Sequence, residues 1–196
     1  MIPLSALLSS RSEEQVSDFL NGFSCQRNAD IEYFLEHRSI AFEKSNRSRT
    51  YLICRKGTDD EDSFIIIGYF TIAIHLMDVS SPSISGSLKK RLVGMFYSPI
   101  VASHHVPCFL IGQLGKDDRS CEEIEGMDIV GYAFDALNLA HEKIGGRFIK
   151  VDCEDSEGLI RFYRENGFVP IQKDQRSGMV EMVMFYRKSV DQPEEG

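Results

Sequence analysis

The segment from residue 107 to residue 171 constrains the fold of this chain most strongly. It begins with the almost unbroken apolar run VPCFLIGQLG, which is typical of a strand that is buried on both faces. Apolar residues then recur at helical spacing from about Glu125 to Lys143, and the strand-like run RFIKVDC follows. A second helical pattern, EDSEGLIRFYREN, and the strand-like run GFVPI complete the segment. Strands that alternate with helices need crossover connections, so the sequence predicts an α/β sheet.

The flanking segments extend this sheet and cover it. Residues 11–46 show helical patterns, with Ser12 as the first N-cap, and RTYLICRK and SFIIIGYFTIAIHLM predict a hairpin around an acidic loop. LKKRLVGMF predicts a short helix, and VEMVMFYR predicts the last strand. The long helix is expected to end at Gly145-Gly146, and the helix after it at Gly167. No linker divides the chain, so we expect one domain over residues 1–190 and a disordered tail over 191–196.

Composition indicates the class of protein. Hydrophobic residues make up 42% of the chain and the formal net charge is −8, as in an ordinary soluble globular protein. This charge disfavours a large non-specific nucleic-acid surface, since phosphate binding depends on clustered Lys and Arg. No apolar run is long enough to span a membrane, and the N-terminal MIPLSALLSS lacks the basic start of a signal peptide. We therefore expect a cytoplasmic protein that does not interact with membranes.

Cysteine and histidine spacing does not indicate a metal site. The five cysteines are widely scattered and no CxxC spacing occurs, which favours small core residues in a reducing compartment. The pair His104-His105 lacks a third ligand at a fixed spacing, so a polar loop is the better interpretation. We expect no metal.

The stretch LIRFYRENGF carries the most specific signal, and it has two interpretations. Taken alone, Leu159, Phe162 and Tyr163 lie on one face of an ordinary amphipathic helix. However, the stretch also resembles the L-x-x-F/L-Y-x-x-x-G-F helix-to-strand motif of the GNAT superfamily of acetyl-CoA-dependent N-acetyltransferases. VPCFLIGQLGKDD resembles the central strand that precedes the pyrophosphate loop and long helix of that family. The resemblance covers roughly 107–187.

The resemblance implies a GNAT-type mixed, splayed β-sheet flanked by helices in a single α/β (α+β) domain. It also implies acetyl transfer from acetyl-CoA to a primary amine, with direct attack by the amine. Tyr163 matches the tyrosine of the family and would act as the general acid for the CoA thiolate. A thiol pKa of about 8.5 is within reach of a phenol pKa of about 10. Members of the family often dimerise through their C-terminal strands, so the resemblance suggests a homodimer.

The cofactor residues implied by the resemblance lie on two segments and one cap. The end of the central strand would pair its main chain with pantetheine, and the start of the long helix would bind the diphosphate. EIEGMD keeps only Gly126 of the family's Q/R-x-x-G-x-G/A loop, and its acids would repel a diphosphate unless they turn outward. An acidic first turn that satisfies the helix dipole is the bland alternative. The cofactor-binding candidates are Leu114, Gly115, Lys116, Arg119, Gly126, Met127, Asp128 and Ser156, where Ser156 replaces the family's Asn.

The general base and the acceptor pocket are less well marked. His75 is a weak candidate for the base, and Asp152 or Glu154 can serve equally well, although a lone histidine in an apolar strand is more often structural. Gln113 and Tyr69 are candidates for the acceptor pocket. For Tyr69, a core or cross-strand aromatic is the more common role.

Three functions remain open at this stage. The main prediction is an N-acetyltransferase that acts on a small-molecule or peptide amine. The strand VPCFLIGQLGKD also resembles that of bacterial toxins that acetylate the amino acid on charged tRNA, but the basic cluster KKR at 89–91 is short for a tRNA surface. A GNAT-fold protein that senses acyl-CoA or binds a partner, with little catalysis, is the third.

Overall fold

The computed structural model of the chain describes residues 1–57, 63–94, 105–120 and 122–186. His104 and the tail over 191–196 lie outside these ranges. The helices are α1 Leu4–Ser10, α2 Glu13–Leu20, α3 Ala29–His37, α4 Ser39–Lys44, α5 Gly86–Val93, α6 Gly126–Ile144 and α7 Glu157–Glu165. The strands are β1 Ile2–Pro3, β2 Arg49–Lys56, β3 Phe64–Asp78, β4 His105–Lys116, β5 Phe148–Cys153, β6 Val169–Lys173 and β7 Val180–Phe185.

The seven strands form one sheet in the order β1-β2-β3-β4-β5-β7-β6. The pairs β1/β2, β2/β3, β5/β7 and β6/β7 are antiparallel. Helix α6 joins the neighbours β4 and β5, which is the kind of connection that parallel strands require. The predicted mixed α/β sheet with flanking helices is confirmed.

Backbone contacts divide the chain into two compact units. Unit 1 comprises Met1–Ile74 and Leu110–Lys143, and unit 2 comprises His75–Phe109 and Ile144–Gly196. In unit 1, helices α1 to α4 bury their apolar faces around Leu4, Leu20, Leu35, Leu52 and Tyr69. In unit 2, the core is built on Met77, Leu92, Cys108, Phe148 and Val183. The expectation of one domain over 1–190 stays a prediction.

Most helix ends lie where the sequence placed them. Ser12 caps α2 in a reciprocal capping box with Gln15, and Ser156 caps α7 by accepting a hydrogen bond from the Leu159 amide at 3.3 Å. Gly145, just after α6, has φ 72°, and Gly167, just after α7, has φ 86°. These left-handed conformations favour glycine because a Cβ is strained there.

Helix α1 and strand β4 differ from the expectations, and strand β1 was not predicted. Helix α1 was not predicted because its seven residues are too few for a periodic signal, and it forms because Leu4 and Leu7 pack into the unit 1 core. Strand β4 was expected to be buried on both faces along its length. Instead, Pro107 and Gly112 are exposed. Two consecutive residues, one on each face, are both buried in the middle of the strand, at Cys108 and Phe109.

Candidate functional site

Tyr163 lies on α7 in unit 2 and is 9% exposed. Its ring packs edge-to-face on Phe162 and Phe168, with ring centroids 5.1 and 5.6 Å away. Burial raises the pKa of the Tyr163 hydroxyl well above its usual range, and the neighbouring Cys153 and Asp152 add to the effect. The phenol is therefore protonated at every working pH. The ring belongs to an aromatic cluster, and the role of Tyr163 as a proton donor stays a prediction.

Ser156, a predicted cofactor residue, starts the same helix. Its hydroxyl oxygen accepts the Leu159 amide, which satisfies one of the free N–H groups of the first turn. The side chain is exposed, so its hydroxyl hydrogen can point outward. The cap explains Ser156 structurally and fixes the helix that carries Tyr163.

The end of β4, in unit 1, holds the predicted pantetheine residues. Leu114 and Lys116 are partly exposed, whereas Gly115 is buried. A Cβ at Gly115 would meet Ile31, Tyr69 and Phe23. Glycine is therefore required here for close packing of the strand on α3 and β3, and its backbone stays close to the core.

Arg119 was predicted as a cation for the diphosphate, but it is held by neighbouring protein groups. Its Nε and Nη2 atoms donate to Asp117 Oδ1 and Oδ2 at 3.3 and 2.8 Å, and Nη2 also donates to the carbonyl oxygen of Gly22. Burial alone would raise the pKa of Asp117, but hydrogen bonds from Arg119 and Ser24 hold it below its usual value. A phosphate would therefore compete with a carboxylate for this guanidinium.

Hydrogen bonds to the residues after β4 also fix the loop that precedes α3, and the sequence analysis did not predict these contacts. Asp117, which is 0% exposed, accepts the Ser24 amide at 2.9 Å. Asp118 accepts the Gln26 amide at 2.6 Å, and Glu32 accepts the Cys25 amide at 2.6 Å. The two aspartates in GKDD were visible in the sequence. Their hydrogen-bond partners, however, lie some ninety residues earlier and cannot be predicted from the residues around them.

The start of α6 carries the predicted diphosphate residues. Gly126 is partly exposed, and Met127 and Asp128 are exposed. Asp128 folds back to accept the Glu125 amide at 2.8 Å, and Glu123 pairs with Arg55 at 2.6 Å. The carboxylates of Glu123 and Asp128 thus have partners within unit 1. Asp128 accepts one amide of the turn that precedes α6.

His75 lies on β3 in unit 2, beside a buried charged cluster. Lys150 is 3% exposed and its ammonium contacts Asp152 at 2.8 Å and Glu181 at 2.9 Å. Burial lowers the pKa of His75, Lys150 lowers it further, and Asp152 and Glu181 partly offset both effects. A histidine that is neutral near pH 7 can accept a proton, which is what a general base requires. Nothing in the local sequence around His75 connects it with Lys150 or Glu181.

The two predicted acceptor-pocket residues differ in exposure. Tyr69 is 0% exposed, packs edge-to-face on Phe23, and donates its hydroxyl hydrogen to the Ile31 carbonyl oxygen at 2.6 Å. This is the core role that the sequence analysis kept as the more common one. Gln113 is partly exposed on β4. Glu154, the remaining candidate for the base, is exposed just after β5.

Unit 2 contains a polar cavity of about 490 Å³ between the end of β3 and the turn from β6 to β7. Its walls include His75, Asp78, His105, Gln172, Arg176 and Glu181. Across the described ranges, no group of three or more His, Cys, Asp or Glu residues is arranged to hold a metal ion. Among the described residues, no helix is long and apolar enough to cross a membrane.

Comparison with solved structures identifies the fold. A tyrosine-to-phenylalanine mutant of KacT aligns with 86% of this chain and 89% of its own, at a TM-score of 0.63 and 18% identity. The chain has the GNAT fold. A structure described as a bacterial toxin aligns over 86% of both chains at a TM-score of 0.64 and 17% identity.

Two further neighbours are structures of complexes. AtaT complexed with acetyl-methionyl-tRNAfMet aligns over 85% of this chain and 86% of its own, at a TM-score of 0.60 and 18% identity. AtaTR bound with AcCoA aligns over 84% and 86%, at a TM-score of 0.62 and 19% identity. No protein-family model and no curated protein matches the sequence.

Proposed function

We propose that the chain is an acetyl-CoA-dependent N-acetyltransferase that moves an acetyl group to a primary amine. The observation that carries the proposal is the placement of Tyr163, within a GNAT fold, as a buried and permanently protonated phenol on α7. The mutual support of the LIRFYRENGF motif and the fold favours a chemical role for this tyrosine over packing alone.

The residues fit acetyl-CoA in part. The backbone amides at the start of α6 and the partly exposed Lys116 can hold a diphosphate, and the main chain at Leu114 and Gly115 can pair with amides. Arg119 and the Glu125 amide are available only if a phosphate displaces Asp117 and Asp128, respectively. Acetyl-CoA, when bound, supplies an activated thioester.

The chain's own groups would move two protons. His75, in its neutral form, would accept the proton that the attacking amine must lose. Tyr163 would donate its hydroxyl hydrogen to the departing sulfur, which favours expulsion of the thiol. The raised pKa keeps the Tyr163 hydroxyl protonated, so the proton is present for each turnover, and solvent restores the phenol afterwards.

A second candidate function narrows the acceptor to the amino group of an aminoacyl-tRNA. It is favoured by the comparisons, since the similar structures include toxins and an AtaT complex with acetyl-methionyl-tRNAfMet. This candidate is a special case of the first, because the α-amino group of an esterified amino acid is itself a primary amine. It additionally predicts growth arrest when the protein is expressed, relieved by a cognate antitoxin.

The test is acetyl transfer from radiolabelled acetyl-CoA. Purified protein is incubated with a panel of polyamines, aminoglycosides, peptides and charged tRNAs, and label in each acceptor is counted. Label in at least one acceptor, absent when the cofactor is omitted, is the expected result. Binding of acetyl-CoA without transfer to any acceptor would contradict the proposal and favour a GNAT-fold acyl-CoA sensor or partner-binding protein.

A further inference from the structure

The charged cluster of unit 2 contains more carboxylate than cation. Lys150 is 3% exposed and touches both Asp152 and Glu181, whose side chains are 36% and 12% exposed. One ammonium can neutralise one carboxylate, so the group retains about one negative charge. A partly buried charge of this kind is costly unless a cation or several donors offset it.

Register and hydrogen bonds hold this excess charge in place. Asp152 on β5 lies opposite Glu181 on β7, and Gln172 on β6 lies opposite the same Glu181. The Gln172 amide donates to the Glu181 carboxylate and, at 3.1 Å, to the carbonyl oxygen of Asp78. Three neighbouring strands therefore fix the Glu181 carboxylate rather than leaving it on a mobile side chain.

Glu181 also forms part of the wall of the 490 Å³ cavity, together with His75, His105 and Asp78. The carboxylate of Asp78 adds a second negative group to this wall, and its Oδ1 accepts the Ser80 amide at 2.8 Å. Of the basic wall residues, Lys173 pairs with Asp155 at 2.7 Å, away from Glu181. Arg176 is a second basic residue of the wall, and the carboxylates of Glu181 and Asp78 border a cavity that is open to solvent.

His75 does not carry a positive charge that would balance these carboxylates in the protein without ligand. The charged groups that act on it are Lys150 and Asp152 on β5 and Glu181 on β7, and the cavity wall that it shares also contains Asp78, His105, Lys173, Asp174 and Arg176. Burial and Lys150 together outweigh the two carboxylates, so the pKa of His75 lies below its ordinary value of 6.5. The imidazole is neutral near pH 7 and keeps its capacity to accept a proton.

We propose that this cavity binds the ammonium end of the amine acceptor, with Glu181 and Asp78 as its counter-charges and His75 as its proton acceptor. The inference rests on the proposed acetyltransferase function and names the acceptor's binding chemistry. The step is balanced within the site: one N–H bond of the ammonium breaks, an imidazole N–H bond forms, and the lone pair stays on the amine nitrogen. Glu181 acts here as a binding residue, and Lys150 as the positioning residue beneath it.

The proposal is tested without acetyl-CoA, by NMR of protein labelled with ¹³C at the histidine ring. The variant His75→Gln assigns the His75 signal, and 1,3-diaminopropane is titrated at physiological salt, where long-range attraction is screened. We expect saturable shifts of the His75 and His105 signals. The neutral isostere 1,3-propanediol should produce none.

Variants locate the binding. Glu181→Gln should weaken diamine binding about tenfold or more, because it removes a charge-assisted contact at nearly constant shape. Asp78→Asn, on the exposed end of β3, should weaken it as well and guards against a folding defect in the first variant. Asp135→Asn removes the same charge from the exposed face of α6, outside the cavity, and should bind like the wild type.

Signals that stay unmoved at millimolar diamine, or equal affinity in Glu181→Gln and wild type, would overturn the inference. A different result would overturn the proposed acetyltransferase function. Diamine binding in the cavity without acetyl transfer to any amine would overturn the acetyltransferase and leave the cation site standing. Acetyl transfer at the wild-type rate by Glu181→Gln would overturn the cation site alone.

Discussion

At the residue scale, burial affects both the ring and the hydroxyl group of Tyr163. The ring contributes to the aromatic group with Phe162 and Phe168, while burial keeps the hydroxyl protonated. These two contributions belong to different atoms of one side chain. A substitution that keeps the ring and removes the oxygen separates them.

Tyr163→Phe should lower kcat about 10²–10⁴-fold and leave the KM for acetyl-CoA almost unchanged, because the donor to the departing sulfur is lost while the ring stays. Steady-state kinetics with the acceptor found in the panel measures both constants. Tyr132→Phe is the matched control, since Tyr132 is 41% exposed on α6 and has no assigned role. A wild-type rate for Tyr163→Phe would remove the tyrosine from the mechanism.

The sequence predicts Tyr163 from a local motif, but it could not predict contacts between residues far apart along the chain. The motif LIRFYRENGF is local, so its tyrosine, glycine and following strand were readable together. Lys150 and Glu181 lie 31 residues apart along the chain and meet only through the β5/β7 register. The same limit applies to Tyr69, whose hydroxyl partner, Ile31, is 38 residues away.

At the element scale, the turn after β4 determines how unit 1 holds its α2–α3 loop. Asp117 N donates to the Ile67 carbonyl oxygen at 3.0 Å, and Asp118 N donates to the Ser24 carbonyl oxygen at 2.9 Å. The Asp117 carboxylate accepts the Ser24 amide and pairs with Arg119. One short polar turn thus links β3, β4 and the loop before α3.

Asp117→Asn should destabilise the protein by about 1–3 kcal/mol at pH 7, because a buried, charge-assisted network loses its charge. The pKa of Asp117 is lowered in the folded state from 3.8. Its contribution is therefore complete well above that value and is lost as the pH falls through the lowered folded-state pKa. Urea unfolding at pH 7 and near pH 3 measures the difference, which should narrow at the lower pH.

Asp135→Asn on α6 again serves as the control for loss of a surface carboxylate. Equal unfolding midpoints for Asp117→Asn and wild type at pH 7 would show that the turn does not hold the loop. A difference that stays constant down to pH 3 would contradict the titration argument while leaving the packing argument intact.

Helices with capping residues were predictable from sequence, and those formed by tertiary packing were not. Ser12 and Ser156 mark their helix starts by the N–H groups that they satisfy, and Gly145 and Gly167 mark helix ends by their positive φ. Helix α1 has no side-chain cap and depends on Leu4 and Leu7. The position of strand β4 was predicted correctly. The exposure of Pro107 and Gly112 was not, because it depends on which elements cover each face of the strand.

At the scale of the whole molecule, the negative net charge opposes the binding of an anionic cofactor such as acetyl-CoA. The chain carries 30 acidic and 22 basic residues, and several acids lie at the start of α6. In the structure, Glu123 pairs with Arg55 and Asp128 with the Glu125 amide. The repulsion expected for a diphosphate is thereby reduced, although Arg119 remains engaged by Asp117.

The same net charge bears on the acceptor. An acidic protein attracts cationic amines and repels nucleic acid over a distance of about one Debye length, ~8–10 Å. Net charge therefore favours a small cationic amine over a nucleic-acid acceptor. The acetylation panel separates these acceptors.

The most direct test of the account is isothermal titration of the protein with acetyl-CoA, with CoA titrated for comparison. We predict a 1:1 complex with a dissociation constant in the micromolar range, about −8 kcal/mol at 1 μM. Such binding would show that the altered turn EIEGMD still accommodates a diphosphate. An absence of heat and of competition at millimolar acetyl-CoA would contradict the acetyltransferase assignment, leaving a GNAT fold used for binding a partner.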